Sequence, residues 1–467
     1  MLFNSWHFVV FFLIVLSVAS CLPRAGWAWK VFLVASSCYF YGQWSWLYLG
    51  LIFVTASIDF VIAQRLVRVL KPLRLLALSI VCNLGVLAFF KYTNFLIDTL
   101  NVVGATSGHG LTITPIDIVL PVGISFYTFQ NMSYTIDVYR GQLTPRRSVL
   151  DYAVFTTFFP QLLAGPIVRA TEFFGQLDQA SRVDWRKIQY ALVLIAAGYV
   201  KKIVLADNLA ITVDEVFLAP ASASGWQALL AVYAFAFQIY FDFSGYTDIA
   251  IGLALLLGFE FPKNFNYPYL ATSFQEFWRR WHMTLSRWLR DYLYIALGGN
   301  RHGLARTMAS LMVTMLLGGL WHGASWNFVI WGALHGGYLV VERLIFGRIS
   351  WWQSNHKIIV CLRWLVVFHL VCFAWIFFRA PDFATSLLVI KKITLIFATP
   401  FNSGQSAALV WLLVGILATH FLMARFELKQ RLSFAGVWPF SMFVALMILL
   451  LIWFTPAKTV PFIYFQF

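Results

Sequence analysis

Apolar residues fall in long runs along this chain, and short polar intervals, most of them basic, separate the runs. Residues 2–20 form the first run, close to the roughly 20 residues that a helix needs to cross hydrocarbon. The stretch 31–64 is long enough to cross and return, and 75–90 crosses once more. A polar interval follows at 93–115, with Asp98, Asn101, Gly104, Gly108 and Gly110 but no Lys or Arg. The run holding VLPVGISFYTFQNMSYTIDVYRG ends at Arg140. Residues 150–168 are apolar but carry Pro160, Gly165 and Pro166, which do not suit an unbroken span. Runs at 188–206 and 226–258 come next, and spans near 362–378, 408–421 and 441–455 close the series. The pattern predicts an all-α polytopic membrane protein, one integral membrane domain over 1–467, with about twelve crossings plus re-entrant segments.

Charge gives these runs a direction. Lys and Arg concentrate at 65–74, 140–147, 169–187 and 279–306, which places those intervals in the cytoplasm and 93–115 and 207–224 outside. Residues 150–168 lie between two inner intervals, so they enter and leave on the same side. The sequence Val18-Ala19-Ser20-Cys21 superficially resembles a lipoprotein cleavage box, yet no Lys or Arg precedes it; an uncleaved first helix is expected, and both termini then lie outside. Arg379, Lys391 and Lys392 fall on the exterior in this scheme, against the charge rule. With 61% hydrophobic and 11% charged residues, a soluble protein is excluded. The net charge of +15 sits in short loops facing anionic lipid, which makes membrane lipids the partner and not nucleic acid. Five scattered cysteines lack the spacing of a zinc or redox centre, and no metal is expected.

Chemistry must therefore come from buried polar groups. Nucleotide-cradling glycine loops and the GxSxG nucleophile pattern are absent from the sequence. Histidine remains, the side chain best suited to exchange a proton near neutral pH. His322, in LMVTMLLGGLWHGASWNFVIWGALHG, is bracketed by Gly318, Gly319 and Gly323, which predicts a helix break at membrane depth. Its residues alone leave open a structural hydrogen bond or a catalytic proton transfer. His282 lies in QEFWRRWHMTLSRWLRDYLYIALGGNRHG among Arg279, Arg280, Arg287, Arg290, Arg301 and Arg306, an interfacial setting where a headgroup or packing role competes with chemistry. His335 and His369 read as core residues, and haem ligation through the buried histidines is left open. Asp242 and Asp248, in YFDFSGYTDIAIG, would lie on roughly opposite faces of a straight helix and are expected to pair with an arginine or with backbone amides in a buried polar network rather than to act in catalysis directly.

The segments WRRWHMTLSRWLRDYLYI and LGGLWHGASWNFVIWG, with GISFYTFQNMSYTIDVYRG, FFPQLLAGPIVR, YFDFSGYTDIAIGLALLLGFEFPKNFNYPY and PFIYFQF around them, resemble the membrane-bound O-acyltransferase family, in its bacterial branch of alginate O-acetylation. One departure is Ala296, where a proline is expected. The resemblance implies tilted helices around a central channel, with His322 as the principal catalytic histidine and His282 as the second. It implies an acyl, most simply acetyl, thioester donor such as acetyl-CoA, no permanently bound cofactor, and a bacterial inner-membrane location. A periplasmic esterase-like acyltransferase or a carrier would be the immediate acceptor and an exopolysaccharide the final one. On charge, Arg279, Arg280 and Arg287 are candidates for the coenzyme A phosphates; His282 could orient the thioester or donate to the oxyanion, and Asn327 and Trp326 could fix the His322 tautomer and pack the channel wall, in a polar network with Asp242 and Asp248. A channel or flippase for a polar substrate, and a glycosyltransferase using a lipid-linked sugar, are the competing readings.

Overall fold

A computed structural model describes residues 1–108, 112–179, 183–398, 404–426, 428–456 and 461–463. Gly110, Arg182 and the last four residues of PFIYFQF lie outside them. The described chain is helical throughout, without a strand, and nine of its helices are long and apolar enough to cross a membrane. Shorter apolar helices such as α1 (Trp6–Cys21) accompany them. The protein is thus an all-α, multi-pass membrane protein. It divides into two compact units, one of residues 1–191 with 250–262, the other of 192–249 with 263–467.

The first unit holds α1, α2 (Trp27–Gly42), α3 (Trp46–Leu66), α4 (Pro72–Thr106), α5 (Ile124–Tyr139), the short helices α6 (Val149–Thr157), α7 (Phe159–Leu162) and α8 (Ala170–Asp178), and the start of α9 (Trp185–Tyr199). A polar clamp joins three of these helices. The buried Asp59 carboxylate accepts from Ser79 Oγ at 2.5 Å and Asn83 Nδ2 at 2.7 Å, and Ser79 lies 3.0 Å from Thr135 Oγ1. Helices α6 and α7 are separated at Phe158, and both are far shorter than a crossing; the irregular stretch that follows, from 163 to 168, is buried in protein. Gly123 caps α5 in the left-handed region at φ 80°, and a Cβ there would lie 2.6 Å from the Leu162 carbonyl, so the close approach requires glycine.

Two loops expected from the sequence are helical instead. Helix α4 continues through 93–106, because Asn94 and Asn101, two turns apart, each form a paired amide–peptide contact with an extended segment. Asn94 binds Ile116 N and O at 3.0 and 2.8 Å, and Asn101 binds Ile113 N and O at 2.7 and 2.8 Å. The polar residues read as a loop are therefore the ties of a helix. Likewise 185–218 is one continuous apolar helix, in which α9 passes through a π-helical segment (Val200–Ala206) into α10 (Asp207–Leu218). Asp207 is buried there against Lys202 at 2.7 Å.

The second unit contains that π segment, α10, most of α11 (Gly225–Leu256), α12 (Phe274–Arg280), α13 (Met283–Trp288), α14 (Gly303–His322), α15 (Trp326–Leu344), α16 (Lys357–Arg379), α17 (Phe383–Thr394), α18 (Gln405–Phe426), α19 (Leu428–Ser433) and α20 (Val437–Phe454). α14 and α15 form a hairpin packed through glycine: a Cβ at Gly319 would strike the Phe328 carbonyl, and one at Gly332 the Met315 carbonyl. Small residues let two backbones touch where lipid offers no hydrophobic drive. Arg379, out of place by the charge rule, is neutralised by Asp214 at 2.6 Å, and Lys392 Nζ donates to the Ala221 carbonyl at 2.6 Å.

Candidate active site

His322 is the last residue of α14, and Gly323 is the extended residue that ends the helix. Helix α15 restarts at Trp326, so the break expected from the glycines occurs at the histidine itself. The imidazole is 5% exposed and sits edge-on to three aromatic rings, Trp321 and Trp331 at 5.0 Å and Phe378 at 5.2 Å between centroids.

His282 occupies the junction of α12 and α13 with φ 40° and ψ 55°, a left-handed conformation for a non-glycine residue. Asn264, from the FPKNFNYPY segment, holds it there. The Asn264 carbonyl accepts from Met283 N at 2.8 Å, and its Oδ1 accepts from Thr284 N at 3.1 Å and Thr284 Oγ1 at 2.9 Å. Since a backbone N–H can only donate, the Asn264 atom facing it is the oxygen. The same oxygen lies 3.1 Å from His282 Nδ1, which must then carry the proton. Nε2 is left as the basic nitrogen. Burial pushes the pKa of His282 down to about 3, so the ring is neutral. In this tautomer Nδ1 donates to Asn264 and Nε2 only accepts, which argues against the oxyanion-donor role. His282 is fully buried, 4.7 Å from the Phe243 ring, so it does not meet a lipid headgroup. Through Trp321, 6.1 Å from His282 and 5.0 Å from His322, the structure brings together two histidines forty positions apart.

Asp242 and Asp248 both face the π segment on adjacent helices, and their partners are lysines, not arginines. Lys202 Nζ bridges Asp242 at 2.5 Å and Asp207 at 2.7 Å, with no exposed side-chain surface. Lys201 reaches Asp248 at 2.7 Å, and Lys429 reaches the same oxygen at 2.5 Å. A π turn widens the helix, which lets two consecutive lysines address one neighbour. The sequence shows Lys201 and Lys202 plainly, yet only the π geometry turns both toward α11.

Other candidates separate from the histidines. Asn327 Nδ2 donates to the Ala380 carbonyl at 3.0 Å and Ser386 Oγ at 3.2 Å, so it ties α15 to the α16–α17 connection and does not set the His322 tautomer. Trp326 is 56% exposed and does not line a buried wall. Neither joins the lysine–carboxylate clusters. Arg280 is paired with Glu276 at 2.6 Å, one turn before it on α12; Arg279 lies within electrostatic reach of Glu342, and Arg287 is on the last turn of α13. Among the described residues no group of His, Cys, Asp and Glu could hold a metal ion.

Residues 143–380, which contain both histidines, match the sequence profile of the membrane-bound O-acyltransferase family. The chain belongs to this family. A relative named "Probable alginate O-acetylase AlgI" from Pseudomonas aeruginosa is 39% identical over 409 residues, covering 86% of this chain and 76% of its own. The Azotobacter vinelandii protein of the same name is 43% identical over 360 residues, 76% of this chain and 70% of its own. A "Peptidoglycan O-acetyltransferase" from Helicobacter pylori is 37% identical over 392 residues, 78% and 73% of the two chains. As a member of the membrane-bound O-acyltransferase family, this multi-pass protein is an enzyme that transfers an acyl group to oxygen.

Proposed function

We propose that the protein moves an acetyl group from a cytoplasmic thioester, acetyl-CoA or a similar donor, across the membrane for O-acetylation of an exported or cell-surface polysaccharide such as alginate. The observation that carries this reading is the pair of imidazoles about one indole, His322 at a broken helix end and His282 with Nε2 basic. In this mechanism His322 removes the proton from an acceptor hydroxyl as its oxygen attacks the thioester carbonyl. The C–S bond then breaks, and the proton passes to the departing thiolate. His282, neutral and unable to donate from Nε2, accepts a hydrogen bond from the donor's pantetheine arm and orients it. Arg279 and Arg287 attract the donor's phosphates, whereas Arg280 is already engaged by Glu276. Acyl transfer by this route needs no resident cofactor.

The immediate acceptor is a hydroxyl on a periplasmic esterase-like protein or carrier, and the polysaccharide receives the acetyl afterwards. The names of the relatives, an alginate O-acetylase and a peptidoglycan O-acetyltransferase, support glycan acetylation. Proteoliposomes with labelled acetyl-CoA inside and polysaccharide outside provide the test. Label should reach the outer compartment with wild-type protein plus the partner, and His322→Ala should abolish it with membrane insertion intact. Equal transfer by the His322→Ala protein removes His322 from the mechanism, and efficient labelling of polysaccharide without a second protein removes the relay.

A further inference from the structure

The two lysine–carboxylate clusters beside the π segment have opposite imbalances. Lys202 faces two carboxylates, and that cluster is sealed: its side chains are 0–5% exposed, and the outer oxygen of Asp242 accepts the Ile463 N–H at 2.8 Å. Lys201 and Lys429, in contrast, share the single oxygen Asp248 Oδ2, and the three side chains are 13–19% exposed. Among the described residues these two ammonium groups have one carboxylate between them, and most of their surface is out of water. Uncompensated buried charge is costly, so the site is built for a partner of opposite sign.

Aromatic and imidazole groups line the same place. Lys201 Nζ lies 5.6 Å from the centroid of the Tyr240 ring, and His420 stands edge-on to that ring at 5.1 Å and to Tyr267 at 5.2 Å. His420 is 4% exposed, and its Nε2 has no hydrogen-bond partner among the described residues. Lys201 and Arg280 both lie within electrostatic reach of that imidazole. We infer that Lys201 and Lys429 form an anion pocket for a phosphate group, with His420 and Tyr240 in its wall. Phosphate suits it because two ammonium groups offer several N–H donors around one excess positive charge, and phosphate oxygens accept from both of them. By the charge pattern the pocket opens on the cytoplasmic side, since Lys429 follows α18 in an interval with Arg425 and Arg431. The phosphate is that of a phosphopantetheine-bearing donor, which rests on the proposed acyl transfer, or of a lipid headgroup.

Purified protein in phosphatidylcholine nanodiscs, probed with 4′-phosphopantetheine and with unphosphorylated pantetheine, tests the pocket. 4′-Phosphopantetheine should raise the unfolding temperature and bind with measurable affinity, and pantetheine should do neither. Lys429→Gln should weaken binding at least tenfold, whereas Asp248→Asn, by releasing both ammonium groups, should strengthen it. The opposite signs exclude a simple loss of folding. If 4′-phosphopantetheine is silent but phosphatidylglycerol stabilises the wild type and not Lys429→Gln, the pocket holds a lipid phosphate. Equal responses from wild type and Lys429→Gln, or no response to either phosphate source, overturn the inference. The His322→Ala protein should bind 4′-phosphopantetheine like the wild type, so acetylation by that variant would sink the catalytic reading and leave the pocket standing.

Discussion

Asn264 shows how a single residue can set the chemistry of another. Four contacts converge on it from Met283, Thr284 and His282, and they fix both a left-handed backbone and a tautomer. Asn264→Ala is therefore expected to leave the protein inserted but to lower acetylation by about 10²-fold, the scale of a small misplacement of a reacting group. Asn264→Asp, which keeps an acceptor oxygen, should retain more activity than alanine; acetylation assays on matched membrane preparations compare them. His282 and His322 were legible as candidates from sequence because imidazoles in apolar or aromatic surroundings are rare and costly. Asn264 was not, since one asparagine in a loop motif carries no signal of what it will face eighteen positions later. Lys202 is a second such case. Its replacement by Met leaves Asp207 and Asp242 buried without a cation and should destabilise the protein by about 3–5 kcal/mol, measured as a lowered unfolding temperature in detergent.

At the level of elements, apolar length predicted most helices, and errors arose where polar residues fell inside them. The residues 93–106 looked like a loop because Asp98, Asn101 and Gly104 are poor helix formers, but the Asn94 and Asn101 amides are occupied by Ile116 and Ile113. Asp207 looked like an exterior residue because its cation, Lys202, is placed by a π turn that periodicity does not disclose. The break after His322 was visible in advance, since Gly318, Gly319 and Gly323 cluster about it. Their packing has a direct consequence. Gly332→Ala puts a methyl against the Met315 carbonyl, a backbone atom that cannot turn aside, and should cost about 1–3 kcal/mol with loss of activity as the α14–α15 hairpin separates. Gly337→Ala, one position beyond Gly336 with nothing within 4 Å of its Cβ, is the control and should be tolerated. Thermal unfolding of both variants checks the contrast.

For the whole molecule, the charge pattern gives a topology that labelling can test. Single cysteines at 169–179 or 183–187, on a background without native cysteines, should resist an impermeant reagent in intact spheroplasts, whereas those at 219–224 should react. Strong labelling of the first group would mean that α6 and α7 do not return to the side they left. The sequence made the polytopic class plain, because it follows from composition. It did not reveal two compact units, since their boundary runs through the middle of α9 and α11 and not through a linker. The buried lysines also govern how the protein is made. Lys201 and Lys202 lie in a largely apolar helix that emerges from the ribosome before α11, and each charge carried into the bilayer costs up to about 2.5–3.5 kcal/mol on insertion. Asp207 can neutralise Lys202 within the same helix, but Lys201 has no carboxylate until Asp248 is synthesised. The translocon must therefore retain the first helix until the second arrives, and the two enter the bilayer as a pair.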